Sequence, residues 1–209
     1  MFRMFSRIFP MYRIKKANKA IQILIVSDSF FFSSMALAEV VFSVFIVQTI
    51  PGATVKHLGI GNAIFMLGIL LTEPLFSKFY DSAKGVTSSF YGFVIGNLLK
   101  SVFRLLFVVI NSVNAFYIIY FLLGIIHSIE YPSFSKLFTQ FVDKDLVSTE
   151  WGYKDVFVSL GKIVAMFMGG YIAISWGYNT LFILSAIGMF VAGVILPLAY
   201  KNEFLKVID

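Results

Sequence analysis

Residues 20–50 read AIQILIVSDSFFFSSMALAEVVFSVFIVQTI, an apolar run of about thirty residues that stops at Pro51-Gly52. A membrane-spanning helix needs roughly 20 residues, and the apolar core of a signal peptide about 7–15. The run therefore predicts a retained transmembrane helix. Ahead of it, Arg3, Arg7, Arg13, Lys15, Lys16 and Lys19 face no acidic residue. With Phe2, Phe5, Ile8 and Phe9 interleaved among them, residues 1–19 are expected to form a basic amphipathic segment on anionic lipid at the cytoplasmic interface. A nucleic-acid arm is the weaker reading of that charge.

The whole chain has the same solvent. Of 209 residues, 59% are hydrophobic and 13% charged, with a mean hydropathy of +0.88. Soluble domains run about 45–50% apolar and about 25% charged, so this chain lacks the charge to cover a water-facing surface. Its 25 Phe and 10 Tyr suit lipid-facing and interfacial positions. There is no Cys, which excludes disulfides, thiolate metal sites and a cysteine nucleophile.

Five further apolar stretches follow, at about 58–76, 88–110, 115–137, 150–175 and 180–200. Asn111-Ser112-Val113-Asn114 and Trp176-Gly177-Tyr178-Asn179 supply turns. In lipid the backbone must satisfy its own hydrogen bonds, so the expectation is all-α: a polytopic membrane protein with six transmembrane helices over 20–200 and a tail over 201–209. Lys78, Lys84, Lys136, Lys144, Lys154, Lys201 and Lys206 share one side with the N-terminal cluster, and Lys56 stands on the other. By the positive-inside rule both termini are cytoplasmic.

Against this background nine ionisable residues within or near the spans stand out: Asp28, Glu39, Glu73, Lys100, Arg104, His127, Glu130, Asp155 and Lys162. A charge at mid-bilayer costs about 2.5–3.5 kcal/mol by insertion scales, so such groups face protein or water and are paired. Helical spacing puts Asp28 and Glu39 on one stripe, Lys100 and Arg104 one turn apart, and Tyr117, Tyr120, Gly124, His127 and Tyr131 on another stripe. Depth predicts one cluster of Glu39 with Lys100 and Arg104, and a second of acidic groups around Lys162 and His127. Glu39, Lys100, Arg104, Glu73 and Asp155 are read as buried ion pairs. Asp28, Glu39, Tyr120, His127, Glu130 and Lys162 are read as a solute or ion pathway. A His beside a carboxylate suits proton coupling; static pairs fixing helix packing are the other reading. Gly161, Ala165, Gly169 and Gly170 make a small-residue helix interface. No glycine-rich phosphate loop, metal-ligand pairing or nucleophile elbow appears, so neither an enzyme, a cofactor nor a metal is expected.

Several segments together resemble the N-terminal half of a major facilitator superfamily transporter. Phe76-Ser77-Lys78-Phe79-Tyr80-Asp81 is similar to the G-x-x-x-D signature between helices two and three, which makes Ser77, Lys78 and Asp81 a cytoplasmic gate motif. Gly161-Lys162-Ile163-Val164-Ala165-Met166-Phe167-Met168-Gly169-Gly170 resembles the antiporter-type G-x-x-x-G-P-x-x-G-G signature, with Ala165 and Met166 replacing Gly and Pro. Trp176-Gly177-Tyr178 through Phe182, Ser27-Asp28-Ser29-Phe30-Phe31 and Tyr131-Pro132-Ser133-Phe134-Ser135 resemble short bacterial members, with Tyr120 standing where proton-coupled members often carry Arg. The resemblance implies a 3+3 half bundle in a prokaryotic cytoplasmic membrane. It implies a half-size secondary transporter of a small solute, working by alternating access as a parallel homodimer. A non-transporting scaffold or assembly partner, or one half of a heterodimer, is the alternative.

Overall fold

The structure, a computed structural model, describes residues 18–205. Most of the basic N-terminal segment and the last four residues of the tail lie outside that range. The described residues form helices α1 (Lys19–Glu39), α2 (Phe42–Thr49), α3 (Val55–Ser82), α4 (Thr87–Leu106), α5 (Val113–Phe141) and α6 (Val147–Phe190). A π-helical turn, Val191–Ile195, then leads into the short helices α7 (Leu196–Ala199) and α8 (Asn202–Leu205). Asn18 starts α1 by accepting the Ala20 N–H on its side chain at 3.0 Å, and Ser112 does the same for Ala115 at 3.2 Å to start α5. Four stretches are long and apolar enough to cross a bilayer: α1, α3, α5 and the run Val147–Ala199.

Several boundaries differ from the sequence reading: α3 runs on to Ser82, so Ser77, Lys78 and Asp81, expected between two helices, lie within one. The first apolar run is broken at Val40–Val41, so α1 ends at Glu39 and α2 begins afresh at Phe42. The break falls at a carboxylate, where the chain turns without a proline or glycine to announce it. The expected turn at 176–179 contracts to one residue. Gly177, at φ 80° and ψ 168°, is the non-helical residue inside α6, a conformation that costs glycine little and other residues much.

Contacts on α1 reveal what Gly177 does. Ser33 lies against Gly161 and Leu37 against Gly169, so the leg of α6 before Gly177 runs parallel to α1. Ser185 Oγ donates to the Ser34 carbonyl at 2.6 Å, and Ser27 Oγ donates to the Ala192 carbonyl at 2.7 Å. The leg after Gly177 therefore runs antiparallel to α1. A straight helix of 44 residues would be about 66 Å long at about 1.5 Å per residue, more than twice the hydrocarbon thickness. Gly177 folds it into a hairpin of two legs that sandwich α1.

The other half of the bundle is α3, α4 and α5. Gly61 meets Phe116 and Gly68 meets Gly124, so α3 and α5 run parallel. Gly96 meets Glu130 and Phe93 meets Phe134, so α4 runs antiparallel to α5. Asn97 of α4 packs against Gly193 of the π turn and closes the bundle. Buried apolar side chains form three clusters among the described residues. One holds Ile21, Leu24, Phe90, Phe93, Phe138 and Phe204; a second holds Phe45, Ile46, Phe107, Phe116, Leu181 and Phe182; the smallest holds Phe31, Met189 and Ala192. The buried polar groups include Asp28, Asn97, Ser101, Ser128, Glu130 and Ser185.

The small residues of α6 have a specific use. A Cβ at Gly169 would collide with the carbonyl of Leu37, and Ala165 is buried, whereas nothing lies within 4 Å of a Cβ at Gly170. The stripe Gly161, Ala165, Gly169 is thus occupied by α1 of the same chain, and Gly170 stands apart from it. Gly169→Leu should destabilise the bundle by about 1–3 kcal/mol, the usual range for overpacking. Gly170→Leu should leave stability unchanged. Unfolding of the two variants in detergent, followed by tryptophan fluorescence, checks the contrast; equal stability would refute the assigned face.

Candidate functional site

A cavity of about 340 Å³ opens between α1, α3, α4, α5 and the trailing leg of α6. Glu39 and Phe42 flank the break between α1 and α2, Asn62 and Phe65 come from α3, and Met189 from α6. Lys100, Arg104 and Phe107 descend one face of α4, while Tyr120, Leu123 and His127 recur at helical spacing on α5. Five charged or polar residues singled out by sequence, Glu39, Lys100, Arg104, Tyr120 and His127, thus line one space. Phe32, Met35, Phe42, Phe65, Phe107, Leu123 and Met189 make most of the rest apolar, with Asn62 the polar exception; apart from their helical phase nothing in the sequence marks them.

Lys100 donates to Glu130 Oε2 at 2.5 Å, with side chains 11% and 6% exposed. Gly96 makes this possible, because a Cβ there would collide with Glu130 Cβ. One turn further along α4, Lys100 then reaches the carboxylate. The partner expected for Lys100 was Glu39; the structure gives it Glu130. Depth alone assigned Glu39, and it could not register how closely α4 approaches α5 at Gly96. Glu39 and Arg104 share the cavity wall and lie within electrostatic reach of each other. They form no ion pair within 4.0 Å, among the described residues.

The remaining expectations disperse. His127 stacks on the Tyr131 ring, centroids 5.4 Å apart at 12°, and packs against Phe65 at 5.9 Å. Its neighbouring carboxylate, Glu130, is engaged by Lys100. Lys162 lies over the Phe32 ring at 5.1 Å, behind the cavity wall and without an acidic partner within 4.0 Å, so the acidic cluster around it does not form among the described residues. Asp28, 3% exposed, lies outside the cavity and faces Lys154 Nζ at 3.7 Å, its Oδ2 without a hydrogen bond. Lys154 itself rests over the rings of Trp151 and Phe134 at 5.0 and 5.4 Å. Sequence reading had counted Lys154 with the loop lysines; its spacing one turn from Trp151 was the available signal. Asp155 is within 3.5 Å of Lys154 but 72% exposed, so it is no buried pair. Glu73 makes no ion pair within 4.0 Å among the described residues.

Glu73, Ser77 and Asp81 instead line a second recess, of about 370 Å³, between α3 and α5. Lys78 is exposed and does not line it. Lys136, on the α5 side of the recess, donates to the carbonyls of Tyr80 and Ala83 at 2.5 and 2.8 Å. The Tyr80 carbonyl also accepts the Ala83 N–H at 3.2 Å, and a lysine beside the C-terminal carbonyls of a helix complements its dipole. The gate-motif segment is thereby tied to α5 through its backbone.

Compared with known proteins, the chain matches no curated relative and no solved structure. The family model of the Major Facilitator Superfamily matches residues 25–205, from the second turn of α1 to the end of α8. The match covers the helices that carry the cavity and the recess together, and its members are multi-pass membrane transporters. The chain belongs to the major facilitator superfamily.

Proposed function

We propose that this chain forms one half of a secondary transporter for a small solute, with the cavity between α1, α3, α4 and α5 as its binding site. In this reading the chain crosses the membrane six times, through α1 with α2, α3, α4, α5 and the two legs of α6, with both termini cytoplasmic. The observation that carries the proposal is the convergence of Glu39, Lys100, Arg104, Tyr120 and His127, from three helices, on one cavity. Groups so costly in lipid, gathered where a solute could replace water, mark a pathway.

One chain lines that cavity from α1, α3, α4, α5 and the trailing leg of α6, and in this reading a second wall closes the side left open. We take the second wall to be another copy, parallel and related by a two-fold axis, which presents the same patch to itself. Two surfaces support this. The leading leg of α6 keeps Leu160, Ile163 and Phe167 exposed, and α3 keeps Leu67, Leu70 and Leu75 exposed. Only 11% of the apolar window of α3 is buried. Each surface is flanked by one helix of its own chain, α1 or α5. Alternating access is then a rocking of the two copies about the shared cavity.

Two measurements test the reading. Because the chain has no Cys, single cysteines report without background. In membranes, a copy carrying Leu70→Cys should crosslink to a copy carrying Leu160→Cys, and monomer alone, or crosslinks to an unrelated protein, would sink the homodimer. In proteoliposomes, counterflow over a panel of labelled amino acids, organic acids, amines and sugars should find a transported solute. Arg104→Gln should then lower its flux tenfold or more, as loss of a charge-assisted hydrogen bond of about 1.5–3 kcal/mol requires. Lys162→Gln, behind the cavity wall, should keep the flux. If no panel member moves, the transport reading falls.

A further inference from the structure

The charges on the cavity wall are of both signs, and they do not all need a solute equally. Lys100 is held by Glu130 at 2.5 Å, and both side chains are nearly covered. That pair is one neutral unit. His127 has its ring committed to Tyr131 and Phe65. Two charges remain on the wall: Arg104, and Glu39 at the end of α1. Neither has an ion-pair partner within 4.0 Å among the described residues.

An occupant with a single charge would satisfy one of these groups and repel the other. A simple anion would meet Arg104 and face the Glu39 carboxylate. A simple cation would meet Glu39 and face the Arg104 guanidinium. A molecule with a carboxylate and an ammonium satisfies both, and in a cavity of low dielectric the gain at each end exceeds its value in water. The guanidinium offers two parallel N–H donors that match a carboxylate. The same lining carries four phenylalanines, Phe32, Phe42, Phe65 and Phe107. About 340 Å³ is at the lower end of small-molecule pockets.

We infer that the cavity takes a small zwitterion with an apolar, ring-bearing body, its carboxylate on Arg104, its ammonium on Glu39 and its body among the phenylalanines. This deepens the transporter reading and rests on it.

Three compounds that share one ring isolate the charges: phenylalanine, 3-phenylpropionate, which lacks the ammonium, and 2-phenylethylamine, which lacks the carboxylate. Binding is read as the shift in unfolding temperature of the full chain in lipid nanodiscs, titrated with each compound. Phenylalanine should bind at least tenfold more tightly than either single-charge compound, as one lost charged hydrogen bond of about 1.5–3 kcal/mol requires. Glu39→Gln should raise 3-phenylpropionate to parity with phenylalanine, and Arg104→Gln should do the same for 2-phenylethylamine. Each result is a change of ranking, so general loss of folding cannot mimic it, and the wild-type ranking stands as a test without either variant. A single-charge compound that equals or outranks phenylalanine on the wild-type chain overturns the inference, as does the absence of binding by all three. In those cases the transporter reading survives if the counterflow panel still finds a moving solute, and falls if none moves.

Discussion

The bond from Lys100 to Glu130 sets the geometry on which the rest of this bundle depends. Two charges placed in a medium of low dielectric must meet each other, because neither can be left to water. Meeting requires α4 and α5 to come within a side chain's reach, and Gly96 removes the one Cβ that would hold them apart. Once that spacing is set, the next turn of α4 carries Arg104 to the same wall, and the preceding turns of α5 carry His127 and Tyr120. Replacing the pair with apolar side chains could leave a stable bundle. The distance between α4 and α5 would then be set by packing alone, and the cavity with it.

Much of the architecture was legible in the sequence because lipid imposes a simple grammar. Runs such as 115–137 can only be helices, and residues one turn apart, as Lys100 and Arg104 are, must share a face. Tyr120 and His127 could be grouped for the same reason. Identities of partners were not legible. Glu39, Glu130 and Asp28 are all carboxylates on apolar helices, and choosing among them needs the distance between helices, which is set by glycines on two chains of residues at once. The break at Val40–Val41 left no trace either. No glycine or proline marks it.

Glycine 177 was expected to make a turn and does, but with a single residue. Trp176, Tyr178 and Asn179, which read as turn residues beside Gly177, stay helical on either side of it. The glycines of the leading leg show the opposite kind of ambiguity. Their spacing says that a backbone comes close, and it does not say whose. The contacts with Ser33 and Leu37 assign Gly161 and Gly169 to α1 of the same chain, which leaves the other sides of that leg, with Ile163 and Phe167, to whatever surrounds it.

The π turn at Val191–Ile195 bears on a different property, the freedom of the chain to vary. Its wide register sends the Leu196 amide to the Val191 carbonyl. By the same register the Ala192 carbonyl would look to residue 197, which is proline and has no N–H to give. Ser27 fills that place with its hydroxyl, from the far end of the sequence. A hydroxyl on α1 and an imino acid on α7 are therefore one backbone device written in two distant places. A substitution at either position bears on the same carbonyl, while the methyl of Ala192 is buried with Phe31 and Met189.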